Sequence, residues 1–66
     1  MATCEIYNGT GLTMKDLRDF VEQADHGDSF IPDSTEILIA QHKEGITSPA
    51  VHIIGDKDSI NIYDWL

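Results

Sequence analysis

Residues 13–24 read Thr-Met-Lys-Asp-Leu-Arg-Asp-Phe-Val-Glu-Gln-Ala, and the rest of the fold is predicted around this stretch. Its apolar residues recur at spacings of three and four, which places them on one face of a helix: Met14, Leu17, Phe20, Val21 and Ala24. The other side is polar and consists of Lys15, Asp16, Arg18, Asp19, Glu22 and Gln23. Thr13 can cap the first turn, and Asp16 follows three residues later as in a capping box. The stretch therefore predicts an amphipathic helix that packs through one side.

Short β-like runs surround this helix and predict a small sheet. They cover residues 3–7, 36–42, 50–54 and 59–63, with turn residues between them. Residues 37–40 are four consecutive apolar residues, which predicts a central strand covered on both faces. The last two runs are joined by a four-residue turn and read as a β-hairpin. We expect one α+β domain over residues 1–66, with the order β-α-β-β-β: an antiparallel-rich sheet with one helix on one face.

The size of the chain limits the core that it can form. A chain of 66 residues buries only roughly 60% of the surface that its unfolded form exposes. The single cysteine, Cys4, excludes an internal disulfide, and no clustered Cys/His pattern indicates structural zinc. Homo-oligomerisation is therefore a possible source of additional stability.

The charge balance restricts the classes of partner. Twelve acidic and four basic residues give a formal net charge of −8, whereas nucleic-acid binding depends on Lys and Arg. We expect no direct nucleic-acid or membrane binding, and a basic protein is the better partner. No apolar run approaches the roughly 20 residues of a membrane span, and no signal-peptide pattern is present. With a lone cysteine, these features predict a cytoplasmic protein.

No residue pattern identifies a reaction, a metal or a cofactor. His42 and His52 lie on strands that we expect to be neighbours, and with a carboxylate they could hold a transition metal, but solvated surface histidines are commoner. The aspartates of the two loops fit turn formation better than calcium binding. Cys4 lies in a predicted strand without a predictable base, as a buried apolar residue would. The prediction is a non-enzymatic protein without metal or cofactor.

The aromatic residues at the end of the sequence are the best candidates for a binding surface. If Ile60 and Ile62 face the helix, Tyr63 and Trp65 point to the other side of the sheet. The strand residues that could join them there are Leu38, Ala40 and Ile54. Such a patch is a favourable place for an interface hot spot. The alternative is that strand twist or residues 30–31 cover this patch and make Trp65 part of the core.

The acidic residues of the helix form a second candidate surface. Asp16, Asp19 and Glu22 follow at helical spacing, and such a row can imitate the phosphates of DNA. Lys15 and Arg18 interrupt this row, as on an ordinary solvated helix.

One segment of the chain, residues 12–39, resembles a pattern found in many small uncharacterised phage and bacterial proteins. The pattern is a Thr-capped helix, a Pro-Asp turn and an acidic-apolar strand, matched here by Thr13, Asp16, Leu17, Phe20, Val21, Pro32, Asp33, Thr35, Glu36, Ile37 and Ile39. The match covers under half of the chain, and the connection of residues 25–31 is longer than in the pattern. The resemblance implies a phage-type accessory protein, and such proteins often bind and redirect a host protein, including components of antiviral defence.

Together, these features predict a protein that acts by binding another protein. The expected contacts are Tyr63, Trp65 and Leu38, the helix acids Asp16, Asp19 and Glu22, or both sets. Two alternatives stay open: an acidic DNA mimic that blocks a nucleic-acid-binding protein, and a homo-oligomer that binds a small ligand between subunits.

Overall fold

The protein folds as one helix and a four-stranded mixed sheet in the residues that the computed structural model describes, 3–41 and 49–64. The elements are β1 (Cys4–Tyr7), α1 (Met14–Ala24), a 3-10 turn (Gly27–Ser29), β2 (Ile37–Gln41), β3 (His52–Gly55) and β4 (Ile60–Tyr63). The predicted α+β class and the β-α-β-β-β order are confirmed. Within the described ranges, no helix has both the length and the apolar character needed to cross a membrane.

The predicted capping box starts α1. The Thr13 hydroxyl accepts a hydrogen bond from the Asp16 N–H, and the Asp16 carboxylate accepts one from the Thr13 N–H at 2.9 Å. The Asn8 side-chain amide donates to the same carboxylate at 3.1 Å, which ties the helix start to the end of β1. These bonds occupy N–H groups that a helix start otherwise leaves without partners.

The strands lie in the order β1-β3-β4-β2. β3 is antiparallel to both β1 and β4, so the predicted hairpin is confirmed, and β2 is parallel to β4. Two of the three pairs are antiparallel. β1 and β2 therefore run in the same direction at opposite edges, and the chain crosses between them through α1.

The prediction that residues 36–42 form a central strand is wrong. β2 is an edge strand, and Ile37, Leu38 and Ile39 are 63%, 47% and 73% exposed. An apolar run indicates that burial of both faces of a strand is favourable. It does not show that residues of the same chain bury them. The expectation that the strands of His42 and His52 are neighbours is wrong too, because β4 lies between β2 and β3. His42 itself lies outside the described residues.

The core lies between α1 and one face of the sheet, which we call the helix face. Its buried apolar residues are Cys4, Phe20, Ala24, Ile31, Ile53 and Ile60, and Ile62 packs against them, so Ile60 and Ile62 face the helix as predicted. Gly55 is needed here because a Cβ at this position would lie 2.8 Å from Ile60 Cγ1 and 3.2 Å from Phe20 Cζ. The alternative in which residues 30–31 cover the opposite face is wrong for Ile31, which is buried in this core.

The helix makes its main contacts to the sheet at β1. At about 100° per residue, Gln23 lies on the flank of α1 that reaches β1, and Phe20 and Ala24 lie in the middle. Leu17 and Val21 lie on the other flank and are exposed, although the pattern places them on the apolar face. On the helix face, Ile60 of β4 is buried and Ile62 packs against the core, whereas Ile37 and Ile39 of β2 stay exposed in the described part of the chain.

Candidate protein-binding surfaces

The face of the sheet opposite α1, called here the far face, carries a row of three rings. The strand register places Tyr7, His52 and Tyr63 side by side across β1, β3 and β4. The Tyr63 ring stacks on His52 with centroids 5.2 Å apart, and the Tyr7 ring meets His52 edge-on at 5.8 Å. Such cross-strand contacts hold the aromatic rings in fixed orientations. The row is a rigid, partly apolar surface of the kind that protein interfaces use.

A carboxylate holds the central ring of this row. His52 Nε2 lies 2.6 Å from Glu5 Oε2, and the two residues sit on adjacent rows of the far face. An ionised carboxylate only accepts hydrogen bonds, so Nε2 carries the proton in this contact. In the described structure, His52 Nδ1 is buried without a hydrogen-bond partner. The pair fixes the ring plane on which Tyr63 stacks.

The neighbouring row of the far face is more apolar. The register aligns Glu5, Ile54, Asn61 and Leu38 across the four strands, so Leu38 and Ile54 lie on the same side of the sheet as Tyr63. Leu38 is half-exposed. Trp65, which we predict to extend this surface, lies outside the described residues.

The three acids of the helix row differ in how many local partners they have. Asp16 accepts hydrogen bonds from Asn8 and Thr13, and these bonds lower the pKa of its carboxyl, the bond from Asn8 contributing most. Asp19 pairs with Lys15 Nζ at 3.1 Å, and Glu22 is exposed. Two of the three carboxylates therefore have partners within the chain, which reduces the free negative charge of the row.

At the outer edge of β1, the backbone is blocked by a side chain. The Glu5 N–H donates to Gln23 Oε1 at 3.1 Å, and Gln23 Nε2 donates to the Glu5 carbonyl at 3.3 Å. The amide of Gln23 thus takes both outward backbone groups of Glu5, as a neighbouring strand would. An edge closed in this way does not offer these groups to another chain.

The outer edge of β2 has no such block among the described residues. The Glu36 carbonyl accepts from the Ile60 N–H at 3.0 Å and so points inward to β4. Backbone groups alternate along a strand in a parallel ladder, so Leu38 also points inward, whereas Ile37 and Ile39 direct their N–H and C=O groups outward. No described strand pairs with this edge. The edge is a template on which another strand can add.

Cys4 and the metal-ligand residue types are the other candidate sites among the described residues. The Cys4 thiol is fully buried and lies 3.4 Å from the Ser29 carbonyl, and burial raises its pKa, so it stays a neutral thiol. Within residues 3–41 and 49–64, no group of three or more His, Cys, Asp or Glu residues is arranged to hold a metal ion.

Three of the contacts described here could not be read from the sequence. The helical pattern assigns Gln23 only to the polar side of the helix, and its role depends on how α1 lies along β1. The Glu5–His52 pair depends on the register of two strands that are 47 positions apart. The bond from Asn8 to Asp16 needs the turn between β1 and α1 to fold back. For these three contacts, the sequence contained one signal: Gln23 is a polar residue next to the apolar face of the helix.

Comparison of this chain with protein-family models, with curated proteins and with solved structures found no match.

Proposed function

We propose that this chain is a small acidic, non-enzymatic protein-binding module of the phage-accessory type, acting in the host cytoplasm by binding a host protein. The observation that supports this proposal is the far face of the sheet, where Tyr63 and Leu38 are accessible on the side away from α1. The apolar surface there is not used for the core of the chain.

The physical properties of the far face fit a protein partner. Tyr63 is held by His52 before any partner arrives, so binding costs little side-chain entropy. Tyrosine is enriched among interface hot spots, and Leu38 adds apolar area beside it. The net charge of −8 favours a partner with basic residues around its contact patch.

The acidic row of α1 suggests DNA mimicry when the sequence is considered alone, but the contacts of these acids in the structure weaken that suggestion. A mimic needs free carboxylates at regular spacing, whereas Asp16 serves the helix cap and Asp19 pairs with Lys15. We therefore assign the helix acids to long-range attraction of a basic partner and to solubility.

The proposal is tested by affinity capture from nuclease-treated bacterial lysate with tagged wild type, Tyr63→Ala and Trp65→Ala. We expect one protein at near-stoichiometric amount on the wild type and its loss in both variants. Met14→Ala is the control, because it shortens an exposed apolar side chain that lies on α1, away from the far face. Circular dichroism verifies that each variant is folded.

Two results would count against the far face as the binding surface. If wild type captures nothing from the lysate of the relevant host, protein binding there is not the function. If Met14→Ala loses the captured protein and Tyr63→Ala keeps it, the helix side is the contact surface instead.

A further inference from the structure

We propose that two copies of this chain pair through their β2 edges, antiparallel about a two-fold axis at Leu38, so that two four-stranded sheets join into one of eight strands. The occupant of the open edge is thus a second copy of the chain. This inference does not rest on the proposed function, because it uses the edge of the sheet and the helix face rather than Tyr63.

The backbone geometry of β2 fits this pairing. Ile37 and Ile39 direct their N–H and C=O groups outward, and an antiparallel pair forms its bonds between residues that both point toward the partner. With the axis at Leu38, Ile37 of each copy faces Ile39 of the other. Each facing pair exchanges two hydrogen bonds, so the interface holds four bonds between the strands. These bonds satisfy the outward N–H and C=O groups of Ile37 and Ile39.

The side chains of β2 match themselves in the same register. Ile37 and Ile39 point to the helix face and are 63% and 73% exposed in the single chain. Pairing places two Ile37–Ile39 contacts side by side, which forms a four-isoleucine cluster in the middle of the joined sheet. On the far face, Leu38 meets its own copy at the axis. The pairing of the two β2 strands therefore buries part of Ile37 and Ile39 on one face of the sheet and part of Leu38 on the other.

The described residues of β2 carry no charge or bulk that opposes pairing with a second copy. The strand reads Ile-Leu-Ile-Ala-Gln and carries no charged side chain, so no like charges face each other within the pair. The helix packs along β1, at the other edge of the sheet, and leaves the β2 side clear in the described residues. A strand from another protein would have to match this uncharged pattern, whereas a second copy does so by symmetry.

The net charge predicts how the dimer responds to salt. Each copy carries −8, so the two copies repel each other at a distance even though β2 is neutral. Salt screens this repulsion within about 10 Å at 0.1 M ionic strength. Dimerisation should therefore strengthen with salt, whereas binding to a basic partner should weaken. The contact is also small compared with the about 1,200 Å² of a standard interface, so the dimer should be weak.

The first test is sedimentation velocity on the full chain from about 10 µM to about 1 mM, a range that suits an interface of this size. Wild type should move from monomer to dimer over this range, at lower concentration in 0.5 M than in 0.05 M salt. Ile39→Lys should remain a monomer, because it adds two charges to the four-isoleucine cluster. Thr3→Lys adds the same charge at an exposed position directly before β1, at the other edge of the sheet, and should dimerise like wild type.

The second test uses hydrogen exchange by NMR and needs no variant. In the dimer, the amides of Ile37 and Ile39 should gain protection as concentration rises, while the amide of Leu38 is protected at all concentrations. This alternation is specific to pairing at the β2 edge.

Three results would overturn the proposal. Wild type that stays monomeric at about 1 mM and high salt excludes the dimer. A dimer that Ile39→Lys retains but Tyr63→Ala loses forms through the far face. Protection that rises equally at residues 37, 38 and 39 indicates general stabilisation of β2 instead of edge pairing.

Discussion

The two edges of the sheet are opposite in character. The β1 edge carries the charged Glu5, and the side-chain amide of Gln23 takes both of its outward backbone groups. Among the described residues, the β2 edge has neither protection: its five residues are uncharged, and the two with outward backbone groups, Ile37 and Ile39, are the most exposed large apolar residues. Both are edge strands that run in the same direction.

This difference follows from the position of the helix. The helix makes its main contacts at β1, one edge of the sheet, and Ile37 and Ile39 of β2, at the opposite edge, are left exposed in the described residues. Natural sheets usually protect their edges with charges, proline or a covering element. A sheet with one protected and one unprotected edge fits a protein that uses the open edge for association.

The largest difference in stability should be between substitutions in the covered strand β3 and in the exposed edge strand β2. Ile53→Ala removes buried methyl groups from the core and should lower the free energy of unfolding by about 2–5 kcal/mol. Ile39→Ala is the same change at a residue 73% exposed and should cost less than about 1 kcal/mol in the monomer. Urea unfolding at low protein concentration measures both. Equal losses would mean that β2 is covered in solution.

If Ile53→Ala does not fold, Ile53→Val gives the same comparison at smaller scale. It should cost about 0.5–1.5 kcal/mol, against a change close to zero for Ile39→Val.

A proline scan should then show which backbone groups of β2 point outward. Proline at Leu38 removes an N–H that points to β4 and should destabilise the fold by about 1–3 kcal/mol, because a ladder carbonyl loses its donor. Proline at Ile39 removes an outward N–H and should cost much less. Thermal unfolding followed by circular dichroism distinguishes the two. A larger loss for Ile39→Pro would show that the register is shifted by one residue.

The smallest effect should come from opening the protected edge. Gln23→Ala removes two hydrogen bonds to Glu5 and should lower stability by about 1 kcal/mol, or about 4–8 °C in Tm. The Glu5 amide should also exchange faster with solvent. Glu22→Ala, at the adjacent exposed position of α1, is the control and should leave that amide unchanged. Slow exchange of Glu5 in Gln23→Ala would mean that something else covers the edge.

The sequence predicted local structure far better than it predicted neighbours. The capping box of Thr13 and Asp16 is confirmed because all of its atoms lie within one turn of helix. The β3–β4 hairpin is confirmed for the same reason, since its two strands are joined by a short turn. The position of β2 was predicted wrongly because its partner, β4, is separated from it by β3 and the preceding loop.

The contacts in the candidate binding surfaces also depend on which separate elements of the chain lie next to each other. The sequence placed Tyr63 and Leu38 together on the far face, since alternation along a strand fixes which face a residue takes. It could not indicate that His52 holds Tyr63 or that Gln23 blocks one edge, because both contacts need the relative placement of separate elements. Their role in binding remains a prediction that the variants described above test.

The strand order also governs when the sheet can form during synthesis. β1 and β2 do not pair with each other, and every strand pair in the described sheet includes β3 or β4. As the chain emerges from the ribosome, α1 can form early, but no native ladder can form until β3 has left the exit tunnel, and β2 gains its partner only when β4 follows. Until β4 emerges, the apolar residues of β2 have no strand partner among the described residues, so β2 is most vulnerable to misassociation before β4 has left the exit tunnel.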